Sequence, residues 1–346
     1  MPTIDSTIHA RRGFGRLFVA TLALLIADTQ SPPTASAESI KIGVLKSIAV
    51  GPVYLGIEKG YFAAEGLNAE IMFFESAQPV AVAAASHDID IGVTGLTGGL
   101  FSLAGQGQIR IIGGYAREVP GFNFNAYVVS NRAYEAGVRS FKDFPGHSFG
   151  ISQIGSPPHY SLALLAEKYH FDLGSMRLLP LQSIANIAAA VVSGQADTAS
   201  LLSTPAIPIL ERKEVRLLGW TGDETPWQLG AIFVAATTAN ERGDMLQRYL
   251  RAFRKGAHDY HDAFTGAGEK RQDGPGAAAV APVIAKYTGL TVAQVEQGIV
   301  YVDAEARFDV KDVLHQIAWY RGQGMVKGEV DGDQVIDKRY VVPLPE

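Results

Sequence analysis

Gly146-His147-Ser148-Phe149-Gly150 spells the G-x-S-x-G pattern in which serine hydrolases carry their nucleophile. That chemistry needs the serine on a sharp turn after a strand and before a helix, lifted towards oxyanion-stabilising amides. Here Phe144-Pro145 precede the motif without a strand, and the apolar run follows the serine. An acid and a base would have to come from Asp172 or Asp197 with His258, His261 or His315, and no local signature supports any such trio. His258-x-x-His261 shares a helical face but lacks an H-E-x-x-H frame, so a solvated pair is expected. Asp331-Gly332-Asp333 lacks the further oxygen ligands of a calcium loop and reads as a turn. Glu75, Asp90, Asp197 and Glu224 are the remaining carboxylates of interest. Asp90 and Asp197 each follow a helix and suit turn or capping roles. There is no P-loop or dinucleotide fingerprint and no cysteine, so no cofactor, metal or thiolate chemistry is expected.

What remains is a set of small polar turns. Lys46-Ser47, Ser76-Ala77-Gln78, Thr94-Gly95-Leu96-Thr97, Gly155-Ser156, Gln182-Ser183 and Leu202-Ser203-Thr204 all follow apolar runs that read as strands, and most open a helix. The first N–H groups of a helix lack partners and its dipole favours an anion. Hydroxyls at such places can hold a neutral or anionic ligand without burying a protein charge. The bland reading of each is a cap on its own helix.

The turns are positioned by a repeat. Ile71–Thr97 (IMFFESAQPVAVAAASHDIDIGVTGLT) recurs as Leu178–Thr204 (LLPLQSIANIAAAVVSGQADTASLLST), which aligns Ser76 with Ser183. Ser86 and Ser193, Asp90 and Asp197, and Ile42-Gly43-Val44 and Phe149-Gly150-Ile151 are separated by that same constant interval. Each copy runs strand, polar turn, alanine-rich helix, turn, strand. Such alternation builds mainly parallel sheets, which bind ligands at the carboxyl ends of their strands. Two similar α/β lobes are expected in preference to one domain with accidental self-similarity.

At the N-terminus Arg11, Arg12 and Arg16 precede the apolar run Leu17–Ala27, and Ala35-Ser36-Ala37 offers a small-x-small cleavage pattern. Residues 1–37 therefore read as an export signal, with partial likeness to a twin-arginine signal at Arg11-Arg12-Gly13-Phe14. No later run is long enough to span a bilayer, so no membrane insertion of the mature chain is expected. A hydrophobic fraction of 47% and a charged fraction of 19% describe a globular chain with ample core, and a net charge of −5 gives no reason to expect nucleic acid. Beyond the repeat the chain reads as helical over Glu241–Phe264, Ala277–Tyr287, Thr291–Ile299 and Val310–Gln323, with Thr291 and Asp309 as N-caps.

KIGVLKSIAVGPVYLGIEKGYFAAEGLNAEI (Lys41–Ile71), ESAQPVAVAAASHDIDIGVTG (Glu75–Gly95), SFKDFPGHSFGIS (Ser140–Ser152) and VVSGQADTASL (Val191–Leu201) carry a family likeness. The chain resembles the periplasmic solute-binding proteins of ABC importers, of the nitrate/sulfonate/taurine type. That family also includes binders of aromatic carboxylates and of thiamine-pyrimidine precursors. The resemblance implies an α/β, two-lobe periplasmic-binding-protein fold of type II, each lobe a mixed, mainly parallel sheet flanked by helices, with two hinge crossings. On the sequence, residues 38–124 with 233–346 form the first lobe and 125–232 the second; Phe122–Ala126 and Leu229–Phe233 are the crossings. The implied contact residues are Ser47, Ser76, Gln78, Thr94, Asn125, Ser156 and Ser183, with Tyr54, Phe122, His159 and Trp227 as aromatic candidates. Phe124, Tyr160 and Trp220 are further rings near the cleft, and Arg117 and Lys46 are the cations available to an acid. The function so implied is capture of a small organic anion, sulfonate- or taurine-like or an aromatic carboxylate, by a monomer that serves an ABC permease and its ATPase. The alternatives are an exported enzyme, such as a hydrolase using Ser148, or a pyrimidine-precursor binder on the same fold.

Overall fold

A computed structural model describes residues 37–328 and 330–345; the expected export signal falls, apart from Ala37, outside the described residues. No helix among them is long and apolar enough to cross a membrane.

Two five-stranded mixed sheets organise the chain. The first contains β1 (Glu38–Leu45), β2 (Leu67–Phe74), β3 (Ile91–Gly95) and β4 (Ile109–Gly114) from the N-terminal part. The second contains β6 (Asn125–Ser130), β7 (Ser148–Ile151), β8 (Arg177–Pro180), β9 (Thr198–Leu202) and β10 (Val215–Trp220). Between the sheets lie β5 (Arg117–Glu118) and β11 (Trp227–Gln228), and β12 (Gly230–Ala235) returns to the first sheet. The orders are β2-β1-β3-β12-β4 and, read from the matching end, β8-β7-β9-β6-β10. In each, one strand is antiparallel to both its neighbours while the others run one way. The repeat is thus a repeat of topology: β9 follows β3 at the interval of the sequence repeat, and the two strands match at both ends.

The antiparallel strands β6 and β12 are buried along all six residues. A strand covered on both faces reads as a continuous apolar run, as NAYVVS and GAIFVA nearly do. Tyr127 and Val129 enter one core of the second lobe and Ala126 and Val128 the other, following the alternation of side chains across a strand. Because β12 needs cover along its whole length, Gly230 to Phe233 all ladder-pair with β3 in the first sheet. The segments that join the two sheets are Tyr115–Phe124, which overlaps the expected crossing at Phe122–Phe124, and Thr221–Leu229, which meets the expected one at Leu229. They are tied to each other as a short antiparallel ribbon, with Trp227 opposite Glu118 and Gln228 opposite Arg117.

The C-terminal helices complete the first lobe. The 22-residue helix Gly243–Phe264 lays Tyr249, Phe253 and Tyr260 into its core. Thr291 closes a capping box with Gln294, and Asp309 caps the helix Val310–Gly322 through the amide of Asp312. That last helix presents Trp319 and Tyr320 to Tyr160 of the second lobe, at ring separations of 5.2 and 5.8 Å.

Candidate ligand-binding site

The carboxyl ends of β1, β3, β7 and β9 face one another across a narrow cavity. The first lobe lines it with Leu45, Ser47, Ala77, Thr94 and Gly95. The crossings add Tyr115, Phe124 and Leu229, and the second lobe adds Asn125, Ser152, Pro157, Pro158, Ile184, Ser200 and Leu202. The two lobes touch around it. The Gly98 amide donates to the Gly155 carbonyl at 2.9 Å, and the Ile184 amide to the Glu75 carbonyl at 3.3 Å. The space open to the centre of a water-sized sphere is ≈ 50 Å³.

Of the residues expected from sequence, Ser47, Thr94 and Asn125 line the cavity. Ser76 and Ser156 stand beside it, each buried at the N-cap of a helix and making no side-chain cap bond. The Ser156 hydroxyl has no partner within the described residues. Ser183 caps its own helix by accepting from the Asn186 amide at 3.1 Å. The side chain of Gln78 accepts from the Thr97 hydroxyl at 2.6 Å and is not part of the lining.

The aromatic expectations divide the same way. Tyr54 is core: it is fully buried and stacks on Tyr287 at 4.3 Å. Phe122 packs edge-on to Tyr301 in the core. Trp227 sits in the crossing ribbon against Tyr160, 5.0 Å between ring centres. His159 accepts from the Gly155 amide through Nδ1 and lies edge-on to Trp319, and burial pulls its pKa down to about 4. It is a neutral residue that fixes the Gly155–Pro158 turn. Among the seven rings singled out from sequence, Phe124 alone lines the cavity, and Tyr115 joins it unforeseen.

Neither expected cation reaches the site. Arg117 lies 3.6 Å from Asp309 and over the Tyr301 ring, and Lys46 is exposed. Among the described residues no charged side chain lines the cavity. One carboxyl is joined to the lining residue Asn125: Glu118, 1% exposed, takes a hydrogen bond from the Asn125 amide group through one oxygen, while the other has no side-chain or backbone partner among the described residues. Burial pushes its pKa up to about 8, so that it is mostly protonated at neutral pH.

The lining residues that sequence reasoning missed carry a signal that it already held. Ser152, Ile184 and Leu202 follow Leu45, Ala77 and Gly95 at the interval of the repeat, so these three lining pairs are repeat mates.

Ser148 lies at the opposite, amino end of β7. Its hydroxyl donates to Asp197 at 2.8 Å and accepts from the Asp197 amide at 2.9 Å. His147 approaches Asp197, not the serine, at 3.6 Å. The acid thus stands between serine and histidine, the reverse of the order in which a histidine takes the nucleophile's proton. The first lobe repeats the clasp, with Asp90 accepting from the Lys41 amide at 2.8 Å, so the motif locks a strand in place. Ser148→Ala is expected to lower stability by about 1.5–3 kcal/mol, the range for a bond to a charged group, and to leave cleft binding unchanged in calorimetry. Loss of binding without loss of stability would contradict this assignment. The other sequence candidates are equally committed: His258 pairs with Glu305, His261 with Glu269, and Asp331 caps a short helix.

A family model described as NMT1/THI5 like matches residues 47–263. No curated protein matches the sequence significantly. The fold is similar to that of the alkanesulfonate-binding protein SsuA from Xanthomonas axonopodis pv. citri bound to MOPS, with a TM-score of 0.68 at 18% identity over 89% of this chain and 99% of that one. The periplasmic nitrate-binding protein NrtA from Synechocystis PCC 6803 gives 0.67 at 12% identity, over 88% and 87% of the two chains. The desulfurization enzyme DSZB gives 0.56 at 14% identity, over 89% and 97%. At such identities the likeness is one of fold, and it spans binding proteins and an enzyme alike.

Proposed function

The chain belongs to the NMT1/THI5-like family, and on that premise we propose that it is the periplasmic substrate-binding component of an ABC importer. It captures a small organic anion between its lobes and delivers it, as a monomer, to a permease and its ATPase. The observation that carries this reading is a cavity built from both lobes and both crossings, lined by hydroxyls and no charged side chain. A ligand there gains contacts on both sides only when the lobes are shut, so its differential affinity shifts the population to the closed form. The hydroxyls of Ser47, Thr94, Ser152 and Ser200 on the wall favour a short aliphatic acid, sulfonate- or taurine-like, as the first reading. Phe124 and Tyr115 on the wall favour a flat ring as the second reading, a pyrimidine of the precursor type.

A thermal-shift screen of short sulfonates, short carboxylates, aromatic acids, pyrimidines, nitrate and sulfate tests the proposal. A specific binder at a hundred times its Kd adds about 2.7 kcal/mol and raises the midpoint visibly. Failure of every class to raise it overturns the reading. Within the site, Ser76→Ala is expected to weaken binding about fivefold, the worth of one hydrogen bond, at unchanged midpoint. Ser183→Ala is expected to do the reverse, costing about 1 kcal/mol of stability as a lost cap while affinity holds. Interchanged effects would reverse the two assignments.

A further inference from the structure

A thioether reacts with an oxidant only where the oxidant can reach it. Of the methionines among the described residues, Met176 and Met245 are buried, at 7% and 2% exposure. Met72 is exposed on β2, the edge strand of the first sheet. Met325 is half-buried, and its surroundings set it apart. It follows the helix Val310–Gly322, where Gly324 turns the chain at φ +70° and the Met325 amide donates to the Tyr320 carbonyl at 3.0 Å. Glycine takes that left-handed conformation without strain.

The turn lays the Met325 side chain across the joint between the lobes. A Cβ on Gly155 of the second lobe would lie 3.2 Å from its Sδ, and a Cβ on Gly98 of the first would lie 3.4 Å from its Cβ. Gly98 and Gly155 also hold one of the backbone bonds that join the lobes, at 2.9 Å. The thioether therefore covers that bond, and the bare backbones of the two glycines are what admit it. An unbranched side chain ending in sulfur adapts well to such a gap. Nothing larger fits beside Gly155, where even a methyl group would press on the sulfur.

We propose that Met325 is a site of reversible oxidation by peroxides, at which one added oxygen loosens the shut lobes. A sulfur lone pair attacks one oxygen of hydrogen peroxide, so that an S–O bond forms and the O–O bond breaks. The departing hydroxide takes up the proton that the transferred oxygen gives up and leaves as water. Sulfur is oxidised by two electrons and the peroxide is reduced by two. The product is a polar, chiral sulfoxide in place of a flexible apolar thioether. At Met72 the new oxygen meets solvent. At Met325 it enters a contact already at its limit, and the clash is relieved by drawing Gly98 away from Gly155. Only the effect on affinity rests on the proposed reading that the lobes shut on a ligand.

The test treats the wild type, Met72→Leu and Met325→Leu with graded hydrogen peroxide and locates the added oxygen by peptide mass mapping. Calorimetric titrations with the short sulfonates and carboxylates of the thermal-shift screen follow, and exchange of the Gly98 amide is measured without ligand. The wild type and Met72→Leu are both expected to gain oxygen at Met325. They should then bind about fivefold more weakly, the worth of one hydrogen bond, and exchange the Gly98 amide faster. Met325→Leu should keep its affinity and its exchange rate through the same treatment. The two methionine sulfoxide reductases, one for each epimer, should restore the oxidised wild type. Met325 left unoxidised while Met72 is fully converted overturns the proposal, and so does a Met325 sulfoxide with unchanged affinity and exchange. If no acid binds before oxidation, the proposed function fails, while the mapping and the Gly98 exchange still decide the fate of this site.

Discussion

Glu118→Gln is expected to remove a fall in stability of about 1.4 kcal/mol per pH unit that the wild-type chain shows between pH 6.5 and 8. Glu118 lies in the crossing ribbon, 1% exposed, and burial raises its pKa from the ordinary 4.5 to about 8, with the nearby Asp223 carboxylate adding to the rise. Between those values the native state holds a proton that the unfolded chain has released. The native state binds more protons, so stability declines as pH rises through this window and levels off above it. His159 acts in the opposite sense. Burial lowers its pKa from 6.5 to about 4, so the unfolded chain gains a proton first and stability declines as pH falls through that range. From about pH 4.5 to 6.5 the two slopes oppose each other, and above 6.5 Glu118 acts without that counterweight. Urea unfolding of the wild type and of Glu118→Gln at half-unit steps from pH 5 to 8.5 isolates the effect as a difference. A difference that stays constant across the series would show that the carboxyl is already ionised in the folded chain. Because Glu118 is bonded to Asn125 on the cavity wall, the same ionisation is expected to weaken ligand binding above pH 8.

The architecture was legible because it is written twice. The constant interval of the repeat pairs Asp90 with Asp197 on sequence alone, and both carboxylates accept from backbone amides at repeat-equivalent positions, Lys41 in β1 and Ser148 in β7. Thr291 and Asp309 were recognisable as caps because a cap is a local event, decided by a side chain and an amide three residues on. The walls of the cavity were harder to read. Tyr54 and Phe122 have the same composition-level signature as Phe124, and only tertiary packing decides which ring meets the core and which meets the cleft. The prolines at 157 and 158 start a helix and also line the cavity, and the second of these facts depends on the lobe opposite them. Arg117 was a reasonable partner for an acid until Asp309, from far along the chain, proved to stand beside it.

Gly95→Val is expected to cost about a hundredfold in ligand affinity while leaving the fold intact. Gly95 ends β3 on the cavity wall, and a Cβ there would lie 2.8 Å from Cγ of Pro157, which belongs to the opposite lobe. A proline ring at the start of a helix has no rotamer by which to retreat. The first lobe has no reason to distort either, since valine suits a strand. The clash is therefore relieved by parting the lobes. Parting them breaks the bonds from Gly98 to Gly155 and from Ile184 to Glu75, and separates Tyr160 from Trp319 and Tyr320. Two hydrogen bonds at about 1 kcal/mol each, with part of an aromatic contact, amount to about 3 kcal/mol, which is the hundredfold. Small-angle scattering supplies the second readout. The wild type should contract when saturated with the best acid from the titrations, and Gly95→Val should keep its larger radius at the same concentration. If the variant binds and contracts like the wild type, then the contact between Gly95 and Pro157 is incidental, and the shut cleft is not the form that holds the ligand.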